Sequence, residues 1–143
     1  MNCPSCQAAM SFGTHSISTQ VGAHVVVNAS VPHERCPHCG YYELDAEVAE
    51  LIEVQAAIVV MSETTEPGPK AARIARKAMG MSQASLALEL GLTQETISRY
   101  ETGALPIVPE YRLALAGLLG REERKLRGGI NTPPQLAHTG TEG

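Results

Sequence analysis

The run from Met81 to Gly103, MSQASLALELGLTQETISRYETG, constrains the fold more than any other stretch, because it accommodates two short helices joined at a glycine. Ser82 is a good N-cap, since its hydroxyl can accept a backbone N–H of the first turn. Leu86, Ala87 and Leu90 then recur at the spacing of a helix that buries one face. Gly91 ends that helix. Thr93 caps a second one, on which Ile97 and Tyr100 or Glu101 lie three and four residues apart, and Gly103 can close it in the left-handed conformation that glycine adopts without penalty. The outer face of this second helix is left with Gln94, Glu95, Thr96, Ser98 and Arg99.

A helix-turn-helix of this kind suits duplex DNA, whose major groove, about 12 Å wide, admits one helix. The N-terminal residues of the second helix then meet base edges. A glutamine amide can pair bidentately with adenine and a guanidinium fork with guanine, so Gln94 and Arg99 carry the most information. Gln83, at the start of the first helix, is expected on a phosphate, where side chain and helix N-terminus can act together. The candidate DNA-contacting set is therefore Gln83, Thr93, Gln94, Glu95, Thr96, Ser98 and Arg99. The plain alternative is a solvated polar face, against which stand the paired caps and the two glycine stops.

From about Lys70 to Gly120 the chain resembles the Xre family of lambda-repressor-like helix-turn-helix domains, on the pattern S-Q-x-x-L-A-x-x-L-G-L-T-Q-x-T-I-S-R-Y-E-x-G. Leu88 stands where a polar residue is more usual.

Charge divides the chain into two jobs. Residues 1–68 hold one cation, Arg35, against eight anions, a net of −7, whereas residues 69–127 hold ten cations and six anions, a net of +4. Lys70, Arg73, Arg76 and Lys77, just before the helix-turn-helix, are expected to neutralise phosphates and to make binding depend on salt. The acidic half would be repelled by DNA and suits a basic protein partner.

All four cysteines fall in two Cys-x-x-Cys pairs, Cys3-Pro-Ser-Cys6 and Cys36-Pro-His-Cys39. That is the pattern of a four-thiolate zinc site, in which a tight turn presents two sulfurs to one ion. Gly40 follows the second pair and permits the turn; Gln7 follows the first and fits it less well. Disulfides and a thioredoxin-like redox role are the alternatives. With all coordination positions filled, one zinc per chain would be structural. Histidines 15, 24, 33 and 38 are irregularly spaced and are not expected as ligands. Strands are expected over about Ala8–Ser18 and Ala23–Val31 around a turn at Gln20–Gly22, with Val25, Val27 and Ala29 on one face. A unit of this size with one phenylalanine has little core, so a metal staple would matter to it.

A helix is expected from Asp45 to about Met61, with Glu47 in its first turn and Val48, Leu51, Ile52, Ile58 and Val59 on one stripe, packing on the hairpin or on a partner. Pro67, Gly68 and Pro69 break the pattern. Pro109 opens a last helix. The expected fold class is α+β, divided into a small zinc-bound β-hairpin domain with a helix (1–62), a linker (63–69), an all-α helix-turn-helix domain (70–127) and a disordered tail (128–143). Leu105, Ile107 and Val108 are too apolar for a loop in water; they form a two-fold dimer interface or complete the monomer core.

The order of motifs resembles the MqsA-like antitoxins, the YgiT-type zinc finger and helix-turn-helix proteins, over about residues 3–120. The resemblance implies structural zinc on Cys3, Cys6, Cys36 and Cys39, base reading by Arg99, a homodimer on a palindromic operator with recognition helices about 34 Å apart, and capture of a basic ribonuclease toxin by the zinc domain. It departs at Glu95, where well-known members carry a base-contacting asparagine, so the operator does not transfer. The alternative function is a stand-alone zinc-containing regulator of the Xre family; a thiol oxidoreductase is the third. No serine, histidine and acid arrangement and no glycine-rich phosphate loop stands out, so an enzyme is not expected. Nor is a signal peptide or a run of about eighteen apolar residues present, and a cytoplasmic location is the expectation.

Overall fold

A computed structural model describes residues 1–126 and 134–137. The chain begins with a long antiparallel hairpin, β1 (Ser11–Val21) and β2 (His24–Arg35), closed by the two-residue turn Gly22-Ala23. Gly22 leads that turn at φ +65°, as a glycine-first hairpin turn requires, and a Cβ on it would lie 3.0 Å from the backbone nitrogen of Ala71. Conformation and close packing thus both demand glycine there. The strands end later than expected, and the turn sits one residue further on.

The expected face, Val25, Val27 and Ala29, is not the buried one. Val26 and Asn28 face the core, and after them Val31 and His33. The cause is a bulge: β1 and β2 pair in one register from Val21↔His24 to Ile17↔Asn28 and in another from His15↔Val31 to Ser11↔Arg35, with one extra residue on β2. The extra residue shifts the parity of β2 at mid-strand, which simple alternation cannot foresee. The open edge of β2 takes two short strands, β3 (Tyr42–Glu43) opposite Glu34 and Arg35, and β4 (Gln135–Leu136) opposite Val26 and Val27.

β4 corrects part of the expected disordered tail: Leu136 is half-buried against the core, and the unpaired backbone of β2 supplies its hydrogen bonds. Residues 128–133 and 138–143 of that expectation lie outside the described residues.

Helix α1 (Ala46–Glu63) keeps Glu47, Glu50 and Glu53 exposed along its first half, which buries Val48, Leu51 and Ile52, whereas its second half buries not one stripe but nearly the whole circumference through Val54, Ala56, Ala57, Val59, Val60 and Met61. A helical segment apolar all round belongs between layers. Its first half lays Val48 and Ile52 on Ile17 and Val31. Its second half joins the main core, which runs from Val21 and Val26 of the hairpin to Leu86, Ile97, Leu115 and Leu119. The helices beyond α1 are α2 (Pro69–Ala78), α3 (Gln83–Leu90), α4 (Gln94–Thr102) and α5 (Pro109–Lys125). Both halves of the chain therefore share one apolar core through α1. At about 1.5–3 kcal/mol per fully buried large aliphatic side chain, this shared cluster is a major source of stability. Residues 64–68 join α1 to α2, and the Arg112 guanidinium of α5 donates to the Met61 carbonyl at the end of α1. Among the described residues no helix is long and apolar enough to cross a membrane.

Candidate metal centre and nucleic-acid interface

Two matching turns stand at the open end of the hairpin. In the first, the N–H of Gln7 donates to the Cys3 carbonyl at 2.8 Å and that of Cys3 to the Ala8 carbonyl at 2.7 Å; in the second, Gly40 donates to Cys36 at 3.0 Å and Cys36 to Tyr41 at 2.7 Å. Each turn needs a residue in the left-handed region. Gly40 supplies it at φ +84°, while Gln7 is forced into it at φ +71°. Hence the less suitable residue still makes the same turn, at a conformational cost.

The two turns bring Cys3, Cys6, Cys36 and Cys39 together, with all four sulfurs within 4.8 Å of one another. Cys3 Sγ lies 3.6 Å from Cys39 Sγ, and Cys6 Sγ 3.5 Å from Cys36 Sγ. Those separations far exceed a disulfide bond of about 2.05 Å. They approach the edge of about 3.8 Å that a tetrahedron with metal–sulfur bonds of about 2.3 Å requires. Backbone amides add to the fit: Ser5 N–H points at Cys3 Sγ at 3.3 Å, and the N–H groups of Cys39 and His38 pull the Cys36 thiol down to about 6. An N–H from Ala8 favours the Cys6 thiolate, but burial and the three neighbouring sulfurs push that thiol up to about 12. Four thiolates cannot share this space without a cation, and with one they make a closed four-sulfur site.

Among the described residues the cluster consists of the four cysteines and includes no histidine. His33 is buried, with Nδ1 2.8 Å from the Val31 carbonyl and Nε2 accepting from Arg35 Nε at 3.4 Å. Burial, with a smaller contribution from Arg35 and His15, lowers its pKa below the ordinary value of 6.5 against the opposing effect of the Val31 carbonyl. His24 Nε2 sits 3.2 Å from the Glu66 carbonyl.

At the other end, the caps of the helix-turn-helix form in the expected places. Ser82 Oγ accepts the Ser85 N–H at 3.0 Å and Thr93 Oγ1 the Thr96 N–H at 3.1 Å. Gly91 and Gly103 end α3 and α4 at φ +68° and +85°. Beneath α3 and α4 lies an ion pair that only the structure brings out. Arg76 donates from Nε and Nη2 to the two Glu101 oxygens at 2.7 and 2.9 Å and from Nη1 to the Met81 carbonyl at 2.8 Å. Gln83 Nε2 adds a third bond to Glu101 at 3.1 Å.

This cluster changes one assignment. Arg76, expected on a phosphate, is buried and occupied with Glu101 and the Met81 carbonyl. Half-buried Gln83 gives one N–H to the same carboxylate, and its amide keeps a second N–H beside the N-terminus of α3. Glu101 was visible in the sequence only as one of two candidates for the buried face of α4.

Gln94, Glu95 and Arg99 are exposed on α4, whereas Thr96 and Ser98 are half-buried and the hydroxyls of Thr93 and Thr96 lie 2.9 Å apart. Arg99 Nη2 donates to Glu95 Oε2 at 2.7 Å, across one helical turn. Lys70, Arg73 and Lys77 are exposed on α2. Of the three apolar loop residues, Ile107 packs against the core of its own chain, Leu105 is half-buried and Val108 is 38% exposed.

Residues 73–126 match the helix-turn-helix family. No curated protein matches the chain.

Proposed function

We propose that this protein, whose residues 73–126 form a helix-turn-helix domain of the Xre type, is a zinc-stabilised transcription regulator that binds a specific duplex site through α4. The observation that carries the proposal is the sorting of polar residues on the domain. Arg76 and Glu101 are bound to each other inside, whereas Gln94, Glu95 and Arg99 face out, Arg99 and Glu95 being paired with each other on the surface. Side chains that support nothing internally are available for base edges. Exposed Lys70, Arg73 and Lys77 add the phosphate attraction that affinity needs.

Zinc on Cys3, Cys6, Cys36 and Cys39 is the metal that best suits four thiolates at near-tetrahedral separations, and its part is to hold the hairpin ends together. It offers no open position for water or substrate, and we propose no enzymatic activity. The protein acts as the antitoxin of a toxin–antitoxin pair: the acidic first half takes a basic ribonuclease toxin, and two copies repress their own operon on a palindrome, meeting through Leu105 and Val108.

Selection of the zinc-loaded protein against a randomised duplex pool, with metal content measured on the same sample, tests the proposal. Enrichment of one motif with two-fold symmetry and one zinc per chain is the expected result. A pool that stays random, or a chain free of metal after native purification, would overturn it.

A further inference from the structure

The acidic half carries a groove with an apolar floor. Phe12, Pro32, Leu44 and Val48 line it together with the carboxylates of Glu34, Glu43 and Asp45, and it encloses about 390 Å³. Phe12 is the chain's only phenylalanine and stands 68% exposed. Tyr41, 36% exposed, stands on the same side through its bond to Glu43, whereas Tyr42, 43% exposed, pairs with Arg35 and lies against His33 on the opposite face of the sheet. Aromatic side chains exposed together beside an apolar groove are a common feature of protein interfaces.

Charge says what would fill the groove. Three carboxylates rim it, and among the described residues no cation lines it. Arg35, the one cation of the first half, is held at His33 Nε2 and lies 5.2 Å over the Tyr42 ring. Tyr41 Oη donates to Glu43 Oε2 at 2.9 Å and fixes that carboxylate on the rim. We propose that this groove binds a cationic amphipathic segment of a partner protein, with an aliphatic or aromatic side chain against Phe12 and flanking arginine or lysine on Glu34, Glu43 and Asp45. The inference rests on the reading that the acidic half takes a basic protein, and it places that contact on one face.

Binding is measured by fluorescence anisotropy on the full, zinc-loaded chain with labelled twelve-residue synthetic peptides, in buffer of about physiological ionic strength. One peptide alternates arginine with leucine, and a second replaces leucine by serine. The arginine–leucine peptide should bind at least tenfold tighter than the arginine–serine peptide. Phe12→Ser, and separately Glu34→Gln with Glu43→Gln, should each weaken it at least tenfold, while unchanged affinity for the selected duplex shows that the variants remain folded. If instead the peptide binds normally to these variants and loses affinity with Glu50→Gln and Glu53→Gln on the exposed side of α1, the groove is wrong and the basic-partner reading survives. If neither peptide binds, both are wrong.

Discussion

Glu101→Gln should unfold this protein more readily than any substitution on its surface, because it removes a charge that the interior was built around. The Arg76 and Glu101 side chains are 9% and 3% exposed, and the carboxylate accepts two bonds from the guanidinium and one from Gln83. Glutamine has nearly the same size, so no cavity opens. It presents an amide N–H2 where one carboxylate oxygen faced N–H donors, and it leaves the guanidinium buried without a counter-charge. Breaking a buried pair from one side costs about 3–5 kcal/mol, against about 0–1 for an exposed pair such as Arg99 with Glu95. For a chain of this size each kcal/mol lowers the melting temperature by about 2–4 °C, so a fall of roughly 10 °C or more is expected. The assay is urea and thermal unfolding followed by helical circular dichroism. Arg76→Met with Glu101→Leu, which removes both charges, should recover much of the loss. A Glu101→Gln variant within about 1 kcal/mol of the parent would refute the reasoning, because the pair would then not be a buried one in solution.

The two cysteine turns give predictions of opposite sign. Gln7→Gly relieves a left-handed residue that costs about 1–2 kcal/mol, offset by glycine's extra chain entropy, and should stabilise the metal-loaded protein by about 0.5–1 kcal/mol in urea unfolding. Gly40→Ala meets no atom within 4 Å, so its loss of about 1–2 kcal/mol is purely conformational. For His33, whose folded pKa is lowered, the unfolded chain binds protons first; stability is complete above about 6.5 and declines as pH falls through that value towards the folded one. Imidazole NMR should show His33 neutral below pH 6.5, and His33→Gln should flatten the slope of stability against pH in this window. Chelation should strip hydrogen-exchange protection from the cysteine turns and the adjoining strand ends near Ser11 and Arg35, while the opposite end, anchored by Val21 and Val26 in the main core, stays protected.

Local chemistry made much of this molecule legible in advance. Ser82, Thr93, Gly91 and Gly103 announced α3 and α4 because caps act within four residues of their own position. The cysteine spacing announced a shared site for the same reason, and the four sulfurs do converge. What sequence withheld depends on distant partners. The bulge opposite Ser16 reverses which residues of β2 are buried, and only pairing reveals it. The apolar circumference of the second half of α1 reads as a stripe until the sheet and α5 are both in place. Arg76 looks like one more basic residue of a DNA-binding face until Glu101, on α4, is seen to hold it. Charge alone could not separate an arginine that supports the fold from Arg99, which faces outward.

The division of labour between these two arginines is tested most directly by competition binding on the duplex enriched from the randomised pool, with unrelated duplex as competitor at fixed salt. The account predicts that the parent protein prefers the enriched site by about 10³-fold or more, and that Arg99→Ala loses about 1–3 kcal/mol of that affinity while its unfolding curve stays unchanged. Equal affinity for enriched and unrelated duplex, or full discrimination retained by Arg99→Ala, would contradict it.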